Sequence, residues 1–178
     1  AFSSINAQGS VLTGRPPVCL PVDDDYPHHP LSPYQLSKHL NEETCRAFSE
    51  RYGMVTLCLR PVWITTPETY ATAGFGTEPF EETWRPELWA YVDIRDVAAA
   101  VERALVVDGV LHDRFLLSAR DTSATRPTRT LVEDAYGSVP WRPPDGTGSA
   151  DEPYRSLVDC RHAQDVLGWR ARHSWRTS

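Results

Sequence analysis

The chain has 178 residues, enough for one domain with a hydrophobic core. Apolar residues make up 40% and charged residues 24%, an ordinary composition for a soluble protein, and no apolar run is long enough to span a bilayer. A net charge of -6 with no visible basic patch argues against a nucleic-acid surface.

The chain opens Ala1-Phe2-Ser3-Ser4, without an initiator Met or the charged and apolar regions of a signal peptide, and reads as entered partway through something longer. Residues 1 to 6 are expected to end a strand. Residues 9 to 30, rich in Pro and Asp and without periodicity, are expected to form a loop. In that loop His28-His29 has no Cys or third His at ligand spacing, and Asp23-Asp24-Asp25 lacks the alternate spacing and Gly of a calcium loop. Both read as solvated surface, and no metal is expected. Ser32 suits a helix N-cap, Pro33 the first helical position, Gln35 completes a capping box, and Gly53 suits the stop. Leu36, Leu40, Ala47 and Phe48 mark an approximate apolar face.

Met54 to Leu59 reads as a buried strand ended by Pro61, and residues 65 to 88 as irregular. Tyr91 to Ile94 leads into a second helix, with Val97, Ala98, Val101, Ala104 and Leu105 at helical spacing and Asp93 or Asp96 as cap. Arg114 to Ser118 reads as a strand, Thr128 to Tyr136 as a helix, 138 to 153 as a Pro/Gly loop, and Asp159 to Leu167 as a last helix stopped by Gly168. This alternation is that of an α/β protein with a parallel sheet. Gly74-Phe75-Gly76 and Gly146-Thr147-Gly148 are not phosphate loops, since neither follows a strand and opens a helix. The four cysteines form no C-x-x-C pair and read as free thiols in a reducing, cytoplasmic compartment.

Tyr34 and Lys38 carry the chemistry. Four residues apart, they share one face of the helix start. An ammonium beside a phenol favours the phenolate, which can exchange a proton with a substrate hydroxyl. Lys38 is the only lysine, beside seventeen arginines. Where charge alone is needed this chain uses Arg, so a compact ammonium at position 38 points to a specific task.

Four ordered segments strengthen the reading: Ser3-Ser4-Ile5-Asn6-Ala7-Gln8-Gly9, Pro33-Tyr34-Gln35-Leu36-Ser37-Lys38, Leu59-Arg60-Pro61 and Tyr91-Val92-Asp93-Ile94-Arg95-Asp96-Val97-Ala98. With the closing Leu167-Gly168-Trp169, they resemble the NAD-dependent epimerase/dehydratase family, the extended short-chain dehydrogenases that act mostly on sugars and nucleotide sugars. The resemblance implies the C-terminal part of a Rossmann-type parallel sheet plus a small substrate-binding region. The expected division is residues 1–64, with the Tyr-x-x-x-Lys helix, and 65–178. It implies Ser4 as the hydroxyl that bonds the reacting oxygen, Tyr34 as acid/base, and Lys38 as the group that favours the phenolate and holds the nicotinamide ribose. It further implies Pro61, Val62, Trp63 and Ile64 along the nicotinamide of NAD or NADP, with Asn6 and Tyr91 near substrate. A homodimer is a family habit.

Two departures matter. The Gly-rich dinucleotide loop after the first strand has no counterpart, so the resemblance implies roughly a hundred residues absent, about a half-sheet with its helices. Where nucleotide-sugar members often carry an Arg-Asp pair, this chain has Glu87-Leu88-Trp89-Ala90, and a charged Glu would repel a diphosphate. A simpler sugar, a uronic acid or another hydroxy-carbonyl compound is expected. Trp63, Trp84 and Trp89 are candidates to stack on it, with core packing as the commoner role. Two other readings stay open: a non-redox binding or partner-subunit module, and a cofactor-free enzyme using Tyr34 and Lys38 for proton transfer alone.

Overall fold

The computed structural model describes residues 1–11, 15–142 and 152–177. Gly146-Thr147-Gly148, and with it most of the 138–153 stretch read as a loop, lies outside the described residues.

Helix α1, Pro33–Tyr52, begins and ends as its sequence predicts. The Ser32 side chain accepts from Gln35 N–H, Gln35 reaches back to the Ser32 backbone, and Gly53 closes the helix at φ 66. Its orientation is the reverse of the expected one. Leu36, Leu40 and Phe48 are exposed, while Gln35, Glu42 and Ser49 are buried. The reason lies in the strand beneath, β1, Thr56–Pro61. Arg60 is fully buried and forks onto Glu42, with Nε to Oε1 2.8 Å and Nη2 to Oε2 2.7 Å. Farther along, the Ser49 and Thr56 hydroxyls lie 2.7 Å apart. A buried guanidinium needs a carboxylate partner more than the sheet needs a leucine, so the polar side of α1 turns inward.

β1 pairs in parallel with residues His112–Leu117 and on its other side receives the chain start. Leu59 N donates to Ala1 O and Ser3 N to Leu59 O. Residues 1 to 6 therefore give only a bridge, Phe2 to Leu59, followed by a 3-10 turn, Ile5–Gln8, rather than a strand end throughout. After Pro61 come β2, Trp63–Thr65, then α2, Pro67–Thr72, and α3, Glu78–Trp84, within the stretch expected to be irregular. A 3-10 turn, Arg85–Glu87, leads to β3, Tyr91–Asp93, which pairs in parallel with β2. Asp93 caps α4, Ile94–Val106, by accepting from Arg95 N–H, and β4, His112–Leu117, follows. Helices α5, Thr128–Tyr136, and α6, Arg161–Leu167, complete the chain, with Gly168 closing α6 at φ 63. Both ladders are parallel, Thr56 to Pro61 opposite His112 to Leu117 and Trp63 to Thr65 opposite Tyr91 to Asp93. Each joins residues on either side of position 64.

The 9–30 segment is irregular, as expected, but much of it is buried. Leu20 and Val22 bridge to Trp141 and Val158, and both belong with Val11 and Tyr26 to a large apolar core. Asp24 is buried and its carboxylate accepts from Leu116 N–H at 2.9 Å. The acidic triplet is a turn with Asp25 exposed, as expected, but Asp24 turns inward and pins the segment to β4, because a buried strand N–H must find an acceptor.

Candidate active site

The paired side chains of α1 and β1 define a direction. Glu42 meets Arg60, and Ser49 meets Thr56, so α1 runs antiparallel to β1. Lys38, one turn before Glu42, donates from Nζ to Phe2 O at 3.3 Å, and Phe2 bridges to Leu59. Tyr34, one turn earlier again, therefore stands at the carboxyl end of the strand, where Pro61 ends β1 and Ser4 leaves the chain start. The carboxyl ends of parallel strands are where α/β proteins bind their ligands.

At that end the parts are disposed as follows. The Lys38 ammonium lies over the Tyr34 ring, 5.7 Å from its centroid. Tyr34 is 54% exposed, and its hydroxyl has no hydrogen-bond partner among the described residues. The Ser4 oxygen caps the Ile5–Gln8 turn by accepting from Asn6 N–H at 3.2 Å. The Ser4 proton stays available for another acceptor, since a hydroxyl can donate one bond while it accepts. Asn6 is buried, with Nδ2 directed to Ser4 Oγ at 3.5 Å and Oδ1 accepting from Gln35 Nε2 at 3.4 Å. Gln35 also donates to Val11 O at 2.9 Å. The neighbour of Tyr34 in the helix thus locks the turn that carries Ser4.

Of the segment after β1, Val62 is buried, Trp63 is half-buried and Ile64 is exposed. The Trp63 ring stacks on Trp84 at 4.1 Å and 13°. Tyr91 lies fully buried in an aromatic cluster with Tyr70, Phe75 and Phe80. Its hydroxyl donates to Asp121 Oδ1 at 2.7 Å and accepts from Trp175 N–H at 3.1 Å. Burial pushes that phenol above its ordinary range, and the Asp121 charge adds to it. Trp89 is a core residue, its indole N–H on Glu81 O at 2.6 Å.

Reading by motif missed the charged support beneath the site. Arg60 also donates to Asp24 O at 3.1 Å and to His28 Nε2 at 3.2 Å. Arginine only donates, so neutral His28 carries its proton on Nδ1 and gives it to His39 Nδ1, 3.1 Å away. Burial, then the Arg60 and Arg114 charges, push His28 down to about 4. Burial pushes Asp24 up to about 6, against the Leu116 N–H and Arg60. Burial also pushes Glu42 up, but the Arg60 bonds and charge outweigh it and leave the carboxyl below its ordinary value. The sequence signal was Arg60 itself, a charge inside an apolar strand. His28 is part of this network, not a free surface imidazole. Among the described residues no group of His, Cys, Asp and Glu could hold a metal ion.

Glu87 changes the argument about substrate. Burial alone pushes its carboxyl up to about 7. The upward push opposes the charged form of Glu87, which lessens its electrostatic repulsion of a diphosphate.

The parallel ladders and the helices packed on them form a Rossmann-like arrangement. The model of the NAD dependent epimerase/dehydratase family matches residues 9–112, and the chain belongs to that family. It is 41% identical over 54 residues, 30% of this chain and 17% of the other, to a Methanocaldococcus jannaschii protein provisionally named a UDP-glucose 4-epimerase. Its fold is that of a Thermotoga maritima UDP-glucose 4-epimerase solved with UDP-glucose, at TM-score 0.57 and 19% identity over 97% of this chain and 58% of that one. It is likewise that of an Agrobacterium tumefaciens short-chain dehydrogenase/reductase superfamily protein with bound NAD, at TM-score 0.62 and 22% identity over 98% of this chain and 62% of that one. The chain thus spans less than two thirds of the length of these proteins. No helix among the described residues is long and apolar enough to cross a membrane.

Proposed function

We propose that this chain supplies the proton-transfer half of an NAD(P)-dependent epimerase, dehydratase or dehydrogenase acting on a sugar or related hydroxy-carbonyl compound in the cytoplasm. The observation that carries the reading is the Lys38 ammonium over the Tyr34 ring, anchored on Phe2 O beside Ser4. The residues present suit the nicotinamide end of a dinucleotide. Lys38 spends one of its three donors on Phe2 O and keeps two for ribose hydroxyls, and the Tyr34 hydroxyl is open. When bound, the nicotinamide supplies the hydride acceptor. The chain's own part is to move a proton. Tyr34 takes the proton of the substrate hydroxyl as general base, with the Lys38 ammonium held over its ring. The Ser4 O–H donates to the same oxygen as it becomes a carbonyl, its lone pair already held by the Asn6 N–H. Asn6 and Gln35 act as positioning residues for Ser4. The reading takes in both simple and UDP-linked sugars, since a fold neighbour was solved with UDP-glucose and burial opposes the charged form of Glu87.

The test is turnover by the intact protein on a panel of sugars, uronates and UDP-sugars with NAD and with NADP, followed by reduced-nicotinamide absorbance and by product analysis. Tyr34→Phe should lower kcat by about 100-fold or more while leaving dinucleotide binding within a few-fold. Unchanged turnover in Tyr34→Phe would remove Tyr34 from the chemistry and overturn the reading. A second reading rests on the exposed apolar row Leu36, Leu40 and Phe48 of α1, which would suit a partner-subunit module. That reading predicts a stable complex and no dinucleotide binding in the intact protein.

A further inference from the structure

The facing sides of α1 and β1 form a ladder whose middle rung is a pair of thiols. Along the helix the inward residues are Glu42, Cys45 and Ser49, and along the strand they are Arg60, Cys58 and Thr56. Spacings of three and four on a helix match spacings of two on a strand. The outer rungs are hydrogen-bonded, Glu42 to Arg60 at 2.7 Å and Ser49 to Thr56 at 2.7 Å. Thr56 Oγ1 also donates to Cys45 O at 3.2 Å, which brings the backbone of Cys45 to within two residues of Cys58. With Glu42 on Arg60 and Ser49 on Thr56, the register between helix and strand sets Cys45 opposite Cys58, and Cys45 is among the groups that raise the Cys58 thiol. Both thiols are free, Cys58 fully buried and Cys45 half-buried at the rim of the helix. The other cysteines are placed elsewhere, with Cys19 accepting from Arg142 Nε at 3.0 Å and Cys160 half-buried before α6.

We propose that Cys45 and Cys58 are a peroxide-oxidisable dithiol, a modification site that closes a disulfide between the helix carrying Tyr34 and Lys38 and the strand beneath it. Cys45 is the entry point because it alone of the two meets solvent. Its sulfur attacks one peroxide oxygen, the O–O bond breaks, and the products are a Cys45 sulfenic acid and one water. The Cys58 sulfur then attacks the Cys45 sulfur, the S–O bond breaks, and hydroxide leaves with the Cys58 proton as a second water. Two thiols and one hydrogen peroxide thus become one disulfide and two waters. Burial, then Cys45 and Glu42, push the Cys58 thiol up to about 12, so the second step is the slow one and Cys58 is protected until Cys45 has reacted. Disulfides of this kind in reducing compartments are transient and regulatory. The bond would covalently fix the register of α1 on β1.

The experiment exposes the folded intact protein to hydrogen peroxide, alkylates it under denaturing conditions and maps the peptides by mass spectrometry. The expected result is a loss of two hydrogens, one linked peptide pair joining Cys45 to Cys58, and reversal by dithiothreitol. The oxidised protein should also melt at a higher temperature than the reduced one. Cys45→Ser, at a half-buried position, should abolish the link and leave Cys58 reduced. Cys58→Ser should stop at a trappable sulfenic acid on Cys45. Quantitative alkylation of both cysteines after peroxide, or a link through Cys19 or Cys160 instead, would overturn the proposal. The unsubstituted protein decides the matter if Cys58→Ser fails to fold.

Discussion

Replacing Arg60 with Met isolates the pair that holds α1 in place. Both side chains of the Arg60–Glu42 pair are fully buried, and the fork makes two bonds of 2.7 and 2.8 Å. In Arg60→Met, Glu42 keeps the Ser3 hydroxyl, at 2.5 Å from Oε1, but loses its paired counter-ion and is left with the weaker influence of the Arg114 charge. Breaking a buried pair from one side costs ~3–5 kcal/mol, a large part of the ~5–15 kcal/mol that holds a domain folded. With a urea slope of ~2 kcal/mol/M, a loss of ~4 kcal/mol lowers the unfolding midpoint by about 2 M. Glu42→Gln should lose less, because Arg60 retains Asp24 O and His28. The double change Arg60→Met with Glu42→Leu should recover most of the loss, since a packed apolar pair leaves no charge stranded. The pH dependence has a definite sign. In the unaltered chain the Glu42 carboxyl lies below its ordinary 4.5, so its contribution is complete above 4.5 and is lost as pH falls through the folded value. In Arg60→Met the stranded carboxyl regains a proton more readily, so the gap between variant and parent should narrow on acidification. Urea titrations of the parent, Arg60→Met, Glu42→Leu and the double change, at neutral and acid pH, give the cycle. A loss below ~1 kcal/mol in Arg60→Met, or strict additivity in the double change, would show that the pair is solvated and that the inward polar face of α1 has another cause.

Glu87→Gln should stabilise the protein at alkaline pH. Its carboxyl is raised from 4.5 to about 7 by burial, so the folded state holds the proton more tightly, and stability falls as pH rises between those values and then levels off. At ~1.4 kcal/mol per unit the variant gains at most about 3 kcal/mol at pH ~8 and almost nothing near pH ~4.5; an equal change at both would refute the assignment. Two glycines with similar backbones should respond differently to Ala. At Gly9, φ 67, an added Cβ would lie 2.2 Å from His29 O and 2.5 Å from His29 C, against backbone that cannot give way. At Gly53, φ 66, nothing lies within 4 Å. Gly53→Ala should therefore cost only the ~1 kcal/mol of a left-handed residue, and Gly9→Ala at least about 2 kcal/mol more, read as melting temperatures; equal losses would show that the Pro-rich segment does not pack on the Ser4 turn.

What was legible in the sequence was local chemistry. Ser32, Pro33, Gln35 and Gly53 announce both ends of α1, and Gly168 ends α6, because caps depend on a few adjacent residues. The stretch 65 to 88 carried the same kind of signal. Thr66-Pro67 opens α2 through a reciprocal Thr66–Thr69 box, and Pro79 sits in the first turn of α3, but both helices are too short for a periodic pattern to reveal. Which side of α1 faces inward was not legible, because that depends on Arg60, eighteen positions beyond Glu42, and no local rule ranks a distant ion pair above Leu36 and Leu40. The same limit applies to Asp24, whose partner Leu116 lies far along the chain. Tyr34 and Lys38 could be read because four residues on a helix fix their proximity. The support that Asn6 and Gln35 give to Ser4 could not, because it joins two segments twenty-nine residues apart.

A helix held to its strand by leucines can slide, since apolar contact has no preferred partner. One held by a forked ion pair and a pair of hydroxyls cannot, because a shift of one turn would take Glu42 off Arg60 and Ser49 off Thr56 together. The polar inward face of α1 thus sets how far its first turn projects past the end of β1, and with it where Tyr34 stands relative to Ser4. The choice of basic residues follows the same logic. Arg60 must grip a carboxylate with two parallel bonds, which a guanidinium does and an ammonium does not. At position 38 the cation must reach a single carbonyl, Phe2 O, while remaining over the Tyr34 ring, and a compact ammonium on a flexible stem meets both demands. The one lysine among eighteen basic residues stands where point-charge geometry is required, and the buried fork beneath it keeps that geometry in register.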